Sequence, residues 1–122
     1  MERHDIRNRA DIEQLIDAFY EKVKRDDTIG FFFAEVDWPK HLPKIYSFWE
    51  QIVFGTGGYR GEPMTVHKHL HEKHPMAHAH FERWLELFTS TTDELFEGGN
   101  AEMIKQRARS IAPLMEFKVT GK

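Results

Sequence analysis

The sequence predicts an all-α protein, on three observations. Apolar residues recur at i, i+3, i+4 and i+7 along four stretches, the period of one helix face. Glycine punctuates those stretches at Gly30, at 55–58 and at Gly98-Gly99. No run alternates β-branched or aromatic residues with polar ones, as a half-buried strand would. A length of 122 residues is the usual size of one domain and suffices to bury one core.

The first helix opens at Asn8, an N-cap residue with Asp11 three positions on. Ile12, Leu15, Ile16, Phe19, Tyr20 and Val23 then follow the helical period. Lys22, Lys24 and Arg25 load its last turn, where the helix dipole favours cations. Gly30 breaks the pattern, and Phe31-Phe32-Phe33 is too short to assign to a strand. A second helix starts at Asp37 or Trp38, with Pro39 in its first turn. His41, Ile45, Phe48 and Ile52 form its stripe, and Leu42, Trp49 and Val53 widen it. A short helix opens at Pro63 and runs to about His74, because Pro75 disfavours helix at the residue before it. Met64, His67 and Leu70 or His71 share one face of it. Ala77 to Phe96 is the longest amphipathic stretch and buries Phe81, Trp84, Leu85, Phe88, Leu95 and Phe96. Asn100 is placed to cap a last helix with Ile104, Ala108, Ile111, Ala112 and Met115 inward. Pro113 lies inside that pattern and is expected to kink or end it.

Composition narrows the function. The net charge is −3 and no basic run exceeds two residues, which argues against nucleic acid as a partner. The absence of cysteine excludes disulfides, thiolate metal sites, iron–sulfur clusters and thiol nucleophiles. No apolar run approaches the ~18 residues of a membrane span. The polar start, Met1 to Asp5, lacks the apolar core of a signal peptide. A cytoplasmic location, without membrane or nucleic-acid contact, is the expectation. Aromatic residues make up 13% of the chain, which suits a core wrapped around something large and flat.

Six of the eight histidines fall in one stretch: His67, His69, His71, His74, His78 and His80. Imidazole is the commonest metal ligand. Helical spacing keeps these six from converging, but a helical metal-binding domain built on the 67–80 cluster is the alternative reading. Inward faces of different helices carry His41, His67, Tyr20 and Trp84. A buried Tyr or Trp needs a partner for its O–H or N–H, by default a backbone carbonyl. Polar tips from three helices could instead surround one small ligand, with a histidine on iron at the opposite face, the arrangement a haem pocket requires.

On these residues the chain resembles the group III truncated haemoglobins of bacteria. The matching pieces are Phe19-Tyr20-Glu21-Lys22-Val23, Gly30 with Phe33, His41 with Phe48-Trp49, Tyr59 to Pro63 with His67, His80 to Phe88, and Gln106-Arg107-Ala108 with Ile111-Ala112. Together they cover most of the chain in one order. The resemblance implies a globin-like, truncated two-over-two helical sandwich around haem b (iron protoporphyrin IX), as one domain over residues 1–122. It implies that the first helix layers with the second and the long 77–96 helix with the last. It implies His67 as the iron ligand, with His69 and His71 as alternatives, and the short helix ordered largely by that ligation. Tyr20 and Trp84 would donate hydrogen bonds to bound ligand. His41 would be the distal histidine, as hydrogen-bond donor, gate or second iron ligand. Phe33 would pack on the haem plane and Ile45 would wall the pocket. Lys44 would meet a propionate, with Arg60, Lys68 and His71 as alternatives. The histidine-rich segment after His67 and Pro113 depart from the family pattern.

The implied function is tight binding of O₂, NO and CO on ferrous iron and of cyanide or azide on ferric iron. Such retention suits nitric oxide or peroxide chemistry better than delivery. The implied partners are a diatomic gas or small anion and an electron-donating reductase. A monomer is expected, and a dedicated enzyme is not; dioxygenase-like or peroxidase-like activity is the catalytic alternative.

Overall fold

A computed structural model describes residues 3–33, 36–55 and 77–120, the last three by backbone alone. It contains helices α1 (Arg9–Arg25), α2 (Trp38–Phe54), α3 (His78–Leu95) and α4 (Gly99–Thr120), with a 3₁₀ turn at Gly30–Phe33. No strand occurs among the described residues. The expected short helix, with His67, His69, His71, His74, Tyr59, Arg60 and Lys68, lies outside them.

The α1 helix forms as its sequence predicts. The Asn8 side chain accepts from the Asp11 N–H at 3.0 Å, and the Asp11 carboxylate accepts from the Arg7 N–H at 2.9 Å. Two donors at the helix start are thereby satisfied. All six expected apolar positions of α1, Tyr20 included, are buried. At its C-terminal end the chain doubles back in the 3₁₀ turn, and a Cβ at Gly30 would fall 2.8 Å from the Lys24 carbonyl oxygen. Only glycine fits that crossing without displacing backbone.

Helix pairs α1–α2 and α3–α4 are in contact, and α1–α3 and α2–α4 contacts join them. This is the two-over-two truncated-globin sandwich the sequence implied. The core holds Phe19, Phe32, Phe88 and Phe96 with Ile6, Ile12, Leu15, Ile16, Ile29 and Ile104, each under 3% exposed. In α4, Ile104, Ala108, Ala112 and Met115 are buried as expected. Thr91 and Thr92 are also buried, their hydroxyls donating to the Leu87 and Phe88 carbonyls one turn back.

Two local expectations are corrected. Pro113 does not end the last helix, which runs on to Thr120 and is longer than α3. Pro113 and Arg109, whose carbonyl the missing N–H would have bonded, are both exposed, so water can take that carbonyl. Asn100 does not cap α4. It lies in the first turn, where its N–H and that of Ala101 donate to the two Asp5 oxygens at 2.9 and 2.8 Å. The carboxylate is fixed further by the Ile6 N–H, and the Asn100 amide donates to the Ile6 carbonyl. Gly98, at φ +148°, leaves the room Asp5 needs, since a Cβ there would lie 2.4 Å from Asp5 Cγ. Phe31-Phe32-Phe33, left unassigned by its pattern, forms the 3₁₀ turn, with Phe32 and Phe33 buried and Phe31 half exposed.

Candidate functional site

The site grows from α1. Helical spacing turns Phe19 and Tyr20 inward together, and Tyr20 is only 6% exposed. Its ring meets Phe19 at 4.7 Å, Trp38 at 4.9 Å and Phe33 at 6.0 Å between centroids. Burial among these rings pushes the Tyr20 phenol up to about 12, because a phenolate there would lose its hydration. The Trp84 N–H offsets part of that rise.

Trp84 comes from α3 and is 5% exposed. Its indole stacks on Phe88 at 5.5 Å and 14°, while Phe19 meets it edge-on at 5.6 Å. Phe88 in turn stacks on Trp49 of α2 at 4.7 Å. Aromatic neighbours hold the indole in one plane, its N–H on the side of the Tyr20 hydroxyl. That N–H makes no hydrogen bond of normal geometry. Among the described residues it is the one buried side-chain nitrogen or oxygen without a partner. Such groups are rare in folded proteins and call for an explanation.

The expected site residues are thus partly assembled. Tyr20, Phe33 and Trp84 come together from three elements. His41 is half-buried on α2, one turn after Trp38 and on the same face. Ile45 is half-buried and packs against the core, as do Leu42, Phe48 and Ile52. Of the α2 residues, only Trp49 and Val53 are buried outright. The stripe is therefore a half-covered apolar face, flanked by Trp38 on Tyr20 and Trp49 on Phe88. Lys44 is exposed one turn after His41. His67 lies outside the described residues.

Trp38 is the member of the cluster to which sequence reasoning gave no role. The signal was present: it stands at i−3 from His41, on the same face. Its ring lies 6.1 Å from Phe33 at 26°, and Lys24 Nζ sits 4.9 Å from its centroid.

The two histidines of the cluster that are described engage other groups. His78 bridges α3 and α4, its Nε2 2.7 Å from Glu82 and its Nδ1 2.7 Å from Glu116. Glu116, then Glu82, raise its pKa by favouring the imidazolium. His80 Nδ1 accepts from the Ala77 N–H at 2.8 Å, and its ring meets Phe32 at 4.7 Å. No group of three His, Cys, Asp or Glu able to hold a metal ion occurs among the described residues. Nor is any described helix long and apolar enough to cross a membrane.

A family model described as bacterial-like globin matches residues 4–119. A group 3 truncated haemoglobin of Campylobacter jejuni is 33% identical over 111 residues, covering 86% of this chain and 85% of the relative. A group 1 truncated haemoglobin of Synechocystis is 35% identical over 85 residues, covering 69% and 68%. The crystal structure of the group III truncated haemoglobin from Campylobacter jejuni superposes with a TM-score of 0.82 at 31% identity, over 97% of this chain and 95% of that one.

Proposed function

The chain belongs to the bacterial-like globin family, and on that premise we propose that it is a haem-b globin, a single domain, that binds O₂ and also NO, CO and cyanide and holds them tightly. The observation that carries this reading is the Trp84–Tyr20 pair. Two buried donors face each other in a dry aromatic surround, and one N–H lacks an acceptor. A bound diatomic with partial negative charge on its outer atom would accept from both.

The residues fit the cofactor that the family implies. Haem, when bound, would supply an iron that a histidine ligates and that binds a small ligand. A flat macrocycle suits the half-covered face of α2, walled by Ile45 and Phe33. His67 is the proposed iron ligand. Lys44, exposed one turn after His41, is the proposed partner of a haem propionate. His41, half-buried one turn after Trp38, is the proposed third polar group of the pocket, as hydrogen-bond donor, gate or second iron ligand.

The chain's part is to hold what binds. Donors fixed before binding need little reorganisation, and the low local dielectric strengthens each hydrogen bond. Slow ligand release follows. Long retention favours nitric oxide or peroxide chemistry over delivery, and such chemistry needs an electron-donating reductase as partner. The proposed location is the cytoplasm.

A visible spectrum of purified protein, before and after reconstitution with haem, tests the reading. An intense Soret band that shifts on adding CO to the reduced protein is expected. No Soret band after reconstitution, with divalent metal bound instead, would overturn it in favour of the histidine cluster.

A further inference from the structure

We propose that Trp38 is a positioning residue for the ligand pocket, holding the Tyr20 ring in place and closing its solvent side, with Lys24 held across the outside as a clasp. This rests on the ligand-binding reading of Tyr20. Four observations carry it. Tyr20 is nearly inaccessible, and among the described rings that meet its ring, Phe19 and Phe33 belong to the buried core while Trp38 is partly exposed. Among these rings Trp38 is the one that touches both Tyr20 and water. Its contact with Tyr20 is close, 4.9 Å at 50°, and its second contact, with Phe33, is near parallel. One indole thus braces two residues of the pocket from two different elements.

Lys24 supplies the outer contact. It lies one turn beyond Tyr20 on α1, at i+4, so its stem runs along the same face. Its ammonium sits 4.9 Å from the Trp38 centroid and donates to Glu21 at 3.3 Å, which holds it there. Cation and ring are linked by the attraction of an ammonium to a π face. At the start of α2 the Asp37 side chain makes no cap bond, while the Asp37 carbonyl accepts from the Lys40 and His41 N–H groups and the Val36 N–H donates to the Phe33 carbonyl. Trp38 also begins the turn that carries His41. Displacing the indole would uncover Tyr20 and shift the start of that turn together.

A ligand entering or leaving on this side must pass Trp38, and a loosened Tyr20 holds it less well. In haem-loaded full-length protein, Trp38→Ala is expected to speed O₂ dissociation and CO association about tenfold, the size of one lost aromatic pair. Trp38→Phe keeps a ring there and should restore both rates to within about twofold, since offset aromatic pairs survive the exchange. Lys24→Met keeps the stem and removes the charge, and should speed both about threefold, as an exposed cation–π contact warrants. Tetranitromethane nitration followed by peptide mass spectrometry gives a readout independent of ligand. Tyr20 should resist the reagent in wild type and Trp38→Phe, and be nitrated in Trp38→Ala. Unchanged rates and an unchanged nitration pattern in a Trp38→Ala protein with a normal Soret band would overturn the proposal. If Trp38→Ala does not fold, Lys24→Met decides, and wild-type rates there overturn the clasp. If the wild type takes up no haem, the ligand reading fails by itself, while nitration still tests whether Trp38 shields Tyr20.

Discussion

The Arg83 guanidinium reaches from α3 to the Asp26 carboxylate at the end of α1, with Nε 2.8 Å and Nη2 2.7 Å from the same oxygen. The Asp26 side chain is 6% exposed and accepts also from the Thr28 and Ile29 N–H groups. One carboxylate thus fastens the 3₁₀ turn and ties it to α3. Removing the cation leaves a buried charge short of a partner. Arg83→Ala is expected to cost about 1–3 kcal/mol, below the full penalty for a buried pair because Arg83 itself is partly exposed. Urea unfolding measures it, and a midpoint equal to wild type would refute the assignment.

Acid should weaken the fold through Asp26 and Asp5. Burial alone would raise the Asp26 carboxyl, but Arg83 and the two N–H groups outweigh it and hold it below its ordinary value. Asp5 behaves likewise, with the Asn100 and Ala101 N–H groups outweighing burial. A carboxyl depressed in the folded state contributes fully above its unfolded pKa of ~3.9, and that contribution is lost as pH falls through the folded value. Stability should decline steeply below about pH 4, and Asp26→Asn should flatten the decline. Urea midpoints between neutral and acid pH test this; parallel curves for the two proteins would count against it.

Tyr20→Phe should speed O₂ dissociation. Losing a hydrogen bond of ~1–3 kcal/mol corresponds to roughly five- to a hundredfold. Trp84→Phe should act in the same direction while keeping the stack on Phe88. Stopped-flow rates within twofold of wild type for both variants would remove the donor pair from the ligand's surroundings.

His67→Gly should abolish stable haem retention, and added imidazole should restore a Soret band by replacing the lost ligand. His69→Ala and His71→Ala should retain haem. If His67→Gly keeps the wild-type spectrum, iron is ligated elsewhere, and the two neighbouring variants identify where.

Much of the fold was legible because it is carried by short-range patterns. The α1 helix was readable at both ends: Asn8 and Asp11 cap it, and six apolar residues mark its buried face. Tyr20 and Trp84 were legible as inward polar tips, since spacing alone places them. The 3₁₀ turn was not, because three consecutive phenylalanines carry no period. It depends on the close approach of Gly30 to the Lys24 carbonyl, which no period marks, and on the non-local reach of Arg83 to Asp26. Pro113 does not end α4, because a proline's cost depends on whether water can reach the carbonyl it orphans, and that is a matter of exposure. Trp38 was passed over as a helix start. Its contacts with Tyr20 and Phe33 arise from how α1, the turn and α2 meet, which no local pattern encodes.

The cap that Asp5 places on α4 joins residues 95 and 96 positions apart. During synthesis Asp5 leaves the ribosome before the residues of any helix are made, and its targets follow some 95 residues later. Two N–H groups in the first turn of α4 thus find their acceptor only when the opening segment is in place beside it. Contacts between such distant positions slow folding, because the chain loses the freedom of the whole intervening loop before they repay it. The N-terminal segment is in this sense the closing fastener of the sandwich. An engineered change there, such as a tag that displaces Asp5, would be felt first at the start of α4.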